Sequence, residues 1–314
     1  MSPIRLALAG VACTLLAACG GGSQRGSSAG EDGPTGRIFF SQRDGEHRDI
    51  YVVGPDGGGL RRLTNSSGEA VAPEPSPDGR QIVYEDDEPT RAVIAVIDAE
   101  GGDRRVLTPS GFQGQPAWSP DGRWIVFERD AGPGDNGVWV MRSDGSGVRR
   151  LTRNPYAGRE CGCDTDPAFS PDGKRISFVR VRSESQGLGA LFVMNRGGSG
   201  LRRLTSWRLD PAIKHAWKPD GSQLLVSDNS HPRPGESSNL YVLRPDGTGL
   251  RALTSFRRGH PNALAGSWSP DGQWIVLKTN ESGDYQLYVM NAGGGNRHAI
   301  STDLIEPSGI AWGR

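Results

Sequence analysis

The nine residues WSPDGRWIV, from Trp118 to Val126, return almost unchanged as WSPDGQWIV, from Trp268 to Val276. The Ser-Pro-Asp-Gly stretch within them occurs five times, once with lysine for serine, and successive copies are 43, 51, 48 and 51 residues apart. Its aspartates are Asp78, Asp121, Asp172, Asp220 and Asp271. A period of this size indicates a repeat architecture in which every unit is one supersecondary element.

Each Pro-Asp-Gly triplet is predicted to be a tight turn between two strands. Proline presets φ at the first corner, aspartate suits the second, and glycine accepts the left-handed φ that follows. An aromatic residue stands before four of the five copies, and Pro75 takes its place in the first. We expect this aromatic to pack between neighbouring units. Because the same letters recur in five units, we interpret Trp118 and Asp121 as scaffold rather than as catalytic residues.

Every unit contains four β-rich runs, which we name strands a, b, c and d. Strand a carries the aromatic, b follows the turn (as in QIVYE), c follows a variable stretch (as in VIAVI), and d ends in Leu-Thr. Strands b and c are nearly continuous apolar runs, which suit sheets covered on both faces. The 46 glycines and 22 prolines supply the many turns. Four-stranded units of about 40–50 residues match the blades of a β-propeller.

The two ends of the repeat region are fragments that complete each other. Arg37–Ser41 (RIFFS) is a b strand with no strand a before it, and residues 309–314 (GIAWGR) form an a strand with nothing after it. Five complete units and these fragments give six strands of each type. We therefore predict an all-β, six-bladed β-propeller over residues 36–314, with four-stranded antiparallel blades. The C-terminal strand would complete blade one and remove two open sheet edges.

These repeats resemble the TolB-type propeller repeat, a WD-repeat-like unit of bacterial envelope proteins and of the propellers of prolyl-oligopeptidase relatives. The resemblance covers residues 36–314 and implies the propeller alone, because TolB carries an α/β domain before its propeller and only a short segment stands here. In the related peptidases an α/β hydrolase domain carries the chemistry, and we expect none in this chain. The resemblance therefore supports the fold more than a role in the Tol–Pal system.

The N-terminal residues predict export and lipid anchoring. An apolar stretch follows Arg5, is too short to span a bilayer comfortably, and ends in LAAC at Cys19, which resembles the bacterial lipoprotein signal. We predict a signal peptide over residues 1–19 with Cys19 lipidated, although an ordinary secretory signal would also fit. Residues 20–35, rich in glycine and serine, are predicted to be a flexible tether. The protein is expected outside the cytoplasm, anchored to a bacterial membrane.

The predicted binding surface is the mouth of the ring formed by the b–c and d–a loops, because these loops are long and variable. Acidic residues dominate it in blades one and two: Asp44, Glu46, Glu69, Glu74, Asp86, Asp87 and Glu88. Basic residues dominate it in blades three to five: Arg153, Arg159, Arg208, Lys214, Arg233, Arg257 and Arg258. The basic side, together with His215, His231 and His260, is a candidate site for an acidic protein segment or a cell-wall glycan; the alternative is ordinary solvated loop charge.

Two further features leave alternatives open. The three histidines could converge on a metal, as in some propeller lyases, but no close-spaced ligand pair such as H-x-x-x-H occurs. Cys161 and Cys163 form a C-G-C pair in the longest d–a loop. Export favours a local disulfide between them over free thiols, and neither a redox pair nor a metal half-site fits their spacing.

We predict a non-catalytic envelope lipoprotein that binds an envelope protein or peptide, with a cell-wall glycan as the alternative ligand. The chain lacks the G-x-S-x-G and H-E-x-x-H motifs, so no enzyme, cofactor or metal is predicted. Its 36 basic and 36 acidic residues balance, which gives no support for nucleic-acid binding. The alternatives are a metal-assisted polysaccharide lyase or hydrolase that uses the loop histidines, and a sensory or substrate-binding lipoprotein that serves a transporter.

Overall fold

Antiparallel pairing arranges the strands of the protein in groups of four. The computed structural model describes residues 33–314 apart from 109, 131, 133–135, 157–161, 184–187, 212–213, 229–236, 258–260 and 301–306, and within its strands it leaves out the side chains of residues 44 and 265. The predicted signal peptide and nearly all of the predicted tether lie outside the described residues. Within them the chain is all-β, with a single 3-10 helix at Trp207–Leu209.

The strands of the first three groups are β1 (Arg37–Asp44), β2 (His47–Val53), β3 (Arg61–Arg62), β4 (Glu69–Pro75), β5 (Gln81–Glu88), β6 (Arg91–Asp98), β7 (Arg105–Val106), β8 (Phe112–Trp118), β9 (Trp124–Asp130), β10 (Gly137–Arg142) and β11 (Arg149–Arg150). The remaining strands are β12 (Asp164–Phe169), β13 (Arg175–Ser183), β14 (Leu188–Asn195), β15 (Arg202–Arg203), β16 (Ala216–Trp217), β17 (Leu224–Ser227), β18 (Leu240–Leu243), β19 (Arg251–Ala252), β20 (Ala263–Trp268), β21 (Trp274–Thr279), β22 (Gln286–Asn291), β23 (His298–Ala299) and β24 (Ser308–Gly313).

Groups two to six are consecutive runs of four strands, beginning at β4, β8, β12, β16 and β20. Groups four, five and six are separate four-stranded sheets. Groups one to three instead share one twelve-stranded sheet, because a single parallel pair joins β2 to β4 and another joins β6 to β8. The antiparallel four-strand unit expected from the sequence is therefore present, while the sheets are not all separate.

Group one takes its strand a from the opposite end of the chain. Strand β24 pairs antiparallel with β1, and Ile38 lies opposite Trp312. The indole Nε1 of Trp312 donates to the carbonyl of Thr35 at 2.9 Å. The hydroxyl of Ser41 contacts that of Ser308 at 2.9 Å. The pairing of the C-terminal strand with Arg37–Ser41 is the one predicted from the two sequence fragments.

The apolar side chains form six buried clusters, and each cluster joins two groups that follow one another. Trp118 packs in one of them with Val83 of group two and with Phe127 of group three, which confirms the predicted position of the repeated aromatic. Another cluster joins group six to group one and contains Val276, Ile38 and Trp312. Burying apolar surface contributes about 25 cal/mol per Å², so these contacts between groups hold the fold together.

The Ser-Pro-Asp-Gly turns are stabilised by a recurring set of hydrogen bonds within each turn. In the second copy, the Ser119 hydroxyl donates to Asp121 Oδ1 at 2.5 Å and accepts the Trp124 amide at 2.9 Å. The hydrogen bond from Ser119 lowers the pKa of Asp121. Gly122 has φ +67°, a conformation that favours glycine. Equivalent serine–aspartate bonds occur at Asp78, Asp172 and Asp271, so these aspartates are structural.

Strand d is shorter than the sequence predicted, because its Leu-Thr ending does not continue the regular backbone hydrogen bonding with strand c. The Leu63 amide still bonds to the carbonyl of Ile50 at 2.8 Å. The Ile50 amide, however, donates to the side chain of Thr64 at 2.9 Å. Thr108, Thr152, Thr205 and Thr254 accept the equivalent strand c amides. A threonine hydroxyl thus replaces one ladder carbonyl in each of five repeats.

Removing this hydroxyl should destabilise the fold. In Thr152→Val the buried Val138 amide loses its 3.0 Å partner, and an unsatisfied buried donor costs about 1–3 kcal/mol. Thr279→Val is the matched control, because the fully buried Thr279 hydroxyl has no hydrogen-bond partner among the described residues. Urea unfolding should show a lower free energy for Thr152→Val and no loss for Thr279→Val. Equal losses in the two variants would contradict this role.

Candidate functional site

The predicted site residues divide between the surface and the interior. Arg208 lies exposed on the 3-10 helix, and Arg257 is exposed with its backbone carbonyl bonded to the Ser237 hydroxyl. Lys214 and His215 instead lie just before β16 and point inward, so the structure brings these two together and separates them from the arginines. The predicted residues that lie outside the described part are Cys19, Arg159, Cys161, His231, Arg233, Arg258 and His260. The disulfide of Cys163 with Cys161 therefore stays a prediction.

Lys214 and His215 line a cavity of about 160 Å³, which we name the strand a cavity. Its lining comes from strand a and the residues next to it in groups two to six. Alanines at equivalent positions, Ala117, Ala168 and Ala216, keep the space open. Glu74, Gln115, Asp166, Lys214 and His215 supply its polar and charged groups.

Strand a carries a β-bulge in groups two, three and four, beside the cavity. The register shifts between Val71 and Glu74, and equivalent shifts occur in β8 and β12. The bulged residues Ala72, Gln115 and Asp166 have φ of +50°, +49° and +49°, which is uncommon for residues with a side chain. Bulges of this kind re-aim side chains and are frequent beside functional sites.

Two glutamates within strand b, Glu85 and Glu128, lie beside the bulges of the next group. The Gln115 amide donates to Glu85 Oε2 at 3.1 Å. Near Glu128, the Thr165 side chain and the Asp166 backbone act to lower its pKa. Burial raises the pKa of Glu85 to about 8, with the Glu128 charge as the next cause. Burial also raises the pKa of Glu128 to about 7, so both carboxyls titrate near neutral pH.

An ion pair joins group two to group five inside the cavity. Lys214 Nζ lies 3.1 Å from Glu74 Oε2, although the residues are 140 positions apart in the chain. Burial works to lower the pKa of Lys214, but the charges of Glu74 and Asp166 outweigh it and raise the pKa above its usual value. The sequence assigned Lys214 and Glu74 to opposite charged sides of one mouth. In the structure they neutralise each other instead, because both side chains turn into the cavity.

His215 belongs to a buried hydrogen-bond chain. Its Nδ1 lies 2.6 Å from Asp166 Oδ2, its Nε2 lies 2.6 Å from the Ser177 Oγ, and the Trp217 indole donates to that same Oγ at 2.7 Å. Burial works to raise the pKa of Asp166, but His215 and then Lys214 lower it below its usual value. The carboxylate is therefore ionised and fixes the imidazole from one side.

The hydrogen-bond chain from Asp166 through His215 to Ser177 resembles the catalytic relay of a hydrolase. Its serine and histidine, however, are not accessible to a substrate. Ser177 has 0% exposure and His215 has 2%, and the serine oxygen already receives the Trp217 N–H. A nucleophile must reach its substrate, whereas Ser177 is sealed beneath the cavity wall. The arrangement therefore orients His215 and Trp217 and does not attack a substrate.

Of the three histidines in the metal hypothesis, the structure describes only His215. Both ring nitrogens of His215 are engaged by Asp166 and Ser177, which leaves no lone pair for an ion. Across the part of the chain that the structure describes, no cluster of three or more His, Cys, Asp or Glu residues is arranged to hold a metal. The same residues contain no helix of the length and hydropathy needed to cross a membrane.

Sequence reasoning did not single out Glu85, Glu128, Asp166 or Ser177. The two glutamates gave a signal, since each directly follows the apolar residues of strand b in the runs QIVYE and WIVFE. Asp166 and Ser177 gave none that a single sequence could reveal, because their partner His215 lies 49 and 38 positions away. The sequence repeat identifies the residues that recur, whereas the charged residues of the strand a cavity differ from one repeat to the next.

The four-stranded groups and their shared turns define a β-propeller-type repeat protein. The family described as the TolB beta propeller domain matches residues 26–154 and 110–230, and the chain belongs to this family. The match covers more than half of the sequence and confirms the resemblance found in its repeats.

Three similar proteins extend this result. A Tol-Pal system protein TolB from Anaeromyxobacter dehalogenans is 30% identical over 56% of this chain and 37% of its own length. An uncharacterized peptidase YuxL from Bacillus subtilis is 33% identical over 36% of this chain and 17% of its own length. The crystal structure of TolB from Acinetobacter baumannii aligns with a TM-score of 0.72 and 24% identity, over 88% of this chain and 66% of the other. The chain thus spans well under half the length of these curated relatives.

Glu85→Gln should change how stability depends on pH. The folded-state pKa of about 8 lies above the ordinary value of 4.5, so the folded protein holds a proton that the unfolded chain has released between these values. The free energy of unfolding therefore falls as pH rises through this window. Glutamine can keep the bond to the Gln115 amide without ionising, so the variant should be more stable than wild type by about 1–3 kcal/mol near pH 9.

The control for this experiment is Glu46→Gln, which changes an exposed glutamate of the same type. Urea unfolding at mildly acidic and at alkaline pH should give Glu85→Gln an advantage only at alkaline pH, and should give Glu46→Gln none. A constant difference between Glu85→Gln and wild type at all pH values would overturn the assignment of a raised pKa to Glu85.

Proposed function

We propose that the protein is a non-catalytic binding module of a bacterial envelope, built on a closed six-bladed propeller over residues 36–314. Closure is supported by the pairing of β24 with β1 and by the cluster that joins group six to group one. The six clusters between consecutive groups support six blades. Membership of the TolB propeller family supports the same architecture.

The observation that carries the non-catalytic assignment is the buried Asp166–His215–Ser177 chain. It is the arrangement in the described residues that most resembles catalytic machinery, and its serine is inaccessible while its histidine is bonded on both sides. The peptidase name of one relative belongs to a protein of which the match covers only 17%. The lyase or hydrolase alternative loses His215 as a ligand, so we do not favour it.

The working surface is the mouth formed by the b–c and d–a loops. Arg208 and Arg257 are exposed there, and we assign Arg159, Arg233, Arg258, His231 and His260 to the same surface from their places in the sequence. A relative named as a Tol-Pal system protein supports a protein partner over a cell-wall glycan. An acidic or polar segment of an envelope protein is the ligand that such a surface suits.

The proposed location is extracytoplasmic, with Cys19 as the lipidated anchor and residues 20–35 as the tether. The name of the Tol-Pal relative supports an envelope location, and the LAAC signal supports the anchor. A local Cys161–Cys163 disulfide would suit an oxidising compartment. Lipid attachment would hold the propeller at a membrane while its mouth engages a partner.

Site-specific photocrosslinking in the native host tests this function. A photoreactive residue replaces Arg208 or Arg257 on the proposed mouth, or Arg123, an exposed residue in an a–b turn on the opposite mouth. We expect a discrete protein adduct from Arg208 and Arg257 and none from Arg123, because the partner contacts one mouth only. Adducts from Arg123 alone, or no protein adduct from any position, would contradict the proposal.

Fractionation of the same cells tests the anchor separately. Wild type should sediment with membranes. Cys19→Ser should appear in the soluble fraction, because serine lacks the thiol to which the lipid is attached. Equal sedimentation of the two proteins would remove the anchor from the proposal and leave the binding function to be decided by the crosslinks.

A further inference from the structure

A group of arginines and aromatic rings lies where two d–a loops meet group four. The rings of Tyr156 and Trp207 meet edge to face, with centroids 5.8 Å apart. Arg182 Cζ lies 5.3 Å from the Tyr156 ring centre, and Arg203 Cζ lies 5.4 Å from that of Trp207. We name these four residues, with the neighbouring Arg208, the arginine platform. Each guanidinium stacked on a ring is held in a defined orientation.

The positive charge of the platform is not neutralised within the described part of the protein. Arg182, Arg203 and Arg208 are exposed, and none of them forms an ion pair with a carboxylate of a described residue. Group four does contain a buried acid, Asp164, but both of its oxygens bond to Arg180, at 2.6 and 2.7 Å. Among the described residues, therefore, no carboxylate neutralises the exposed guanidinium groups of the platform.

The repeat itself provides a comparison that shows what is missing. Arg62 lies opposite Tyr51 in group one, as Arg203 lies opposite Phe192 in group four. Arg62 is paired with Asp49, which lies on strand c just before Ile50, the residue capped by threonine. The equivalent residue of group four is Ala190, just before the capped Leu191. Arg203 thus lacks the internal carboxylate that its counterpart has, and rests on Trp207 instead.

The arrangement selects carboxylates over sugar rings. Trp207 packs against Phe192 and Tyr156 as well as Arg203, and both Tyr156 and Trp207 are only half-exposed, so little ring surface is open for stacking on a sugar. What is exposed is guanidinium, whose planar N–H edge matches a carboxylate in bidentate fashion. We propose that the arginine platform binds an acidic segment of a partner protein, with its Asp or Glu carboxylates on Arg182 and Arg203. This deepens, and rests on, the proposed protein-binding function.

A binding assay with purified full-length protein tests the platform. The probe is a fluorescein-labelled oligoglutamate peptide, and the readout is fluorescence anisotropy at low and at moderate salt. Arg182→Gln/Arg203→Gln should weaken binding by about tenfold or more, because charge-assisted contacts are lost. The matched control is Arg105→Gln/Arg251→Gln, which removes the same charge from exposed strand d positions in groups two and five and should weaken binding by less than about threefold.

A second variant removes the free charge without removing an arginine. Ala190→Asp rebuilds in group four the pair that Asp49 makes with Arg62, and it should weaken peptide binding to a similar degree. Urea unfolding identifies any variant that fails to fold, and the arginine double variant then decides the outcome alone.

Three results would overturn the proposal: no binding of oligoglutamate to wild type, an equal loss in the Arg105→Gln/Arg251→Gln control, or tighter binding of oligogalacturonate through the same arginines. The last result would make the ligand an anionic glycan. Because the assay uses a defined peptide and purified protein, a negative result leaves the crosslinking outcome, and hence the proposed function, intact. Crosslinks that are absent while the peptide binds would instead count against the function alone.

Discussion

The pairing of β24 with β1 is the contact on which the rest of the fold depends. Every other group takes its four strands from one continuous stretch of chain, whereas group one joins residues from the two ends of the described chain. Trp312 adds its side chain to the cluster shared by groups six and one. Without this pairing, β1 and β24 would each present an unpaired sheet edge.

The residues that recur in the repeats and the residues that differ between them have different structural roles. The serine–aspartate turns and the threonine caps satisfy local backbone groups within the repeats. The exceptions lie near the strand a cavity: Glu85 accepts a hydrogen bond from the bulged Gln115, and Lys214 of group five pairs with Glu74. The recurring residues therefore form the scaffold, and the residues that differ between repeats supply the polar and charged groups of the interior and of the loops.

Much of the scaffold could be predicted from the sequence, because turn chemistry and apolar periodicity act over a few residues. The Pro-Asp-Gly turns, the order of the strands, the packing of Trp118 and the pairing of the C-terminal strand all followed from local patterns. The two-residue length of strand d did not, because a threonine side chain takes over a backbone bond there.

The polar contacts of the interior and the platform could not be predicted in the same way. His215 meets Asp166 and Ser177, and Lys214 meets Glu74, only after separate groups are brought together. The stacking of Arg182 on Tyr156 likewise depends on how a d–a loop folds over group four. These contacts depend on distances between groups, and a single sequence does not contain those distances. The loop charges alone did not reveal that Lys214 pairs with Glu74 in the strand a cavity.

Hydrogen–deuterium exchange of Ala311→Pro, compared with wild type, tests the central role of the terminal pairing most directly. Proline removes one ladder donor of β24 opposite Phe39 and prevents regular pairing there. If the pairing closes the fold, β1, β2, β21 and β22 will lose protection together, because the cluster between groups six and one opens as a unit. Loss of protection confined to the β1 amides that face β24 would contradict the account.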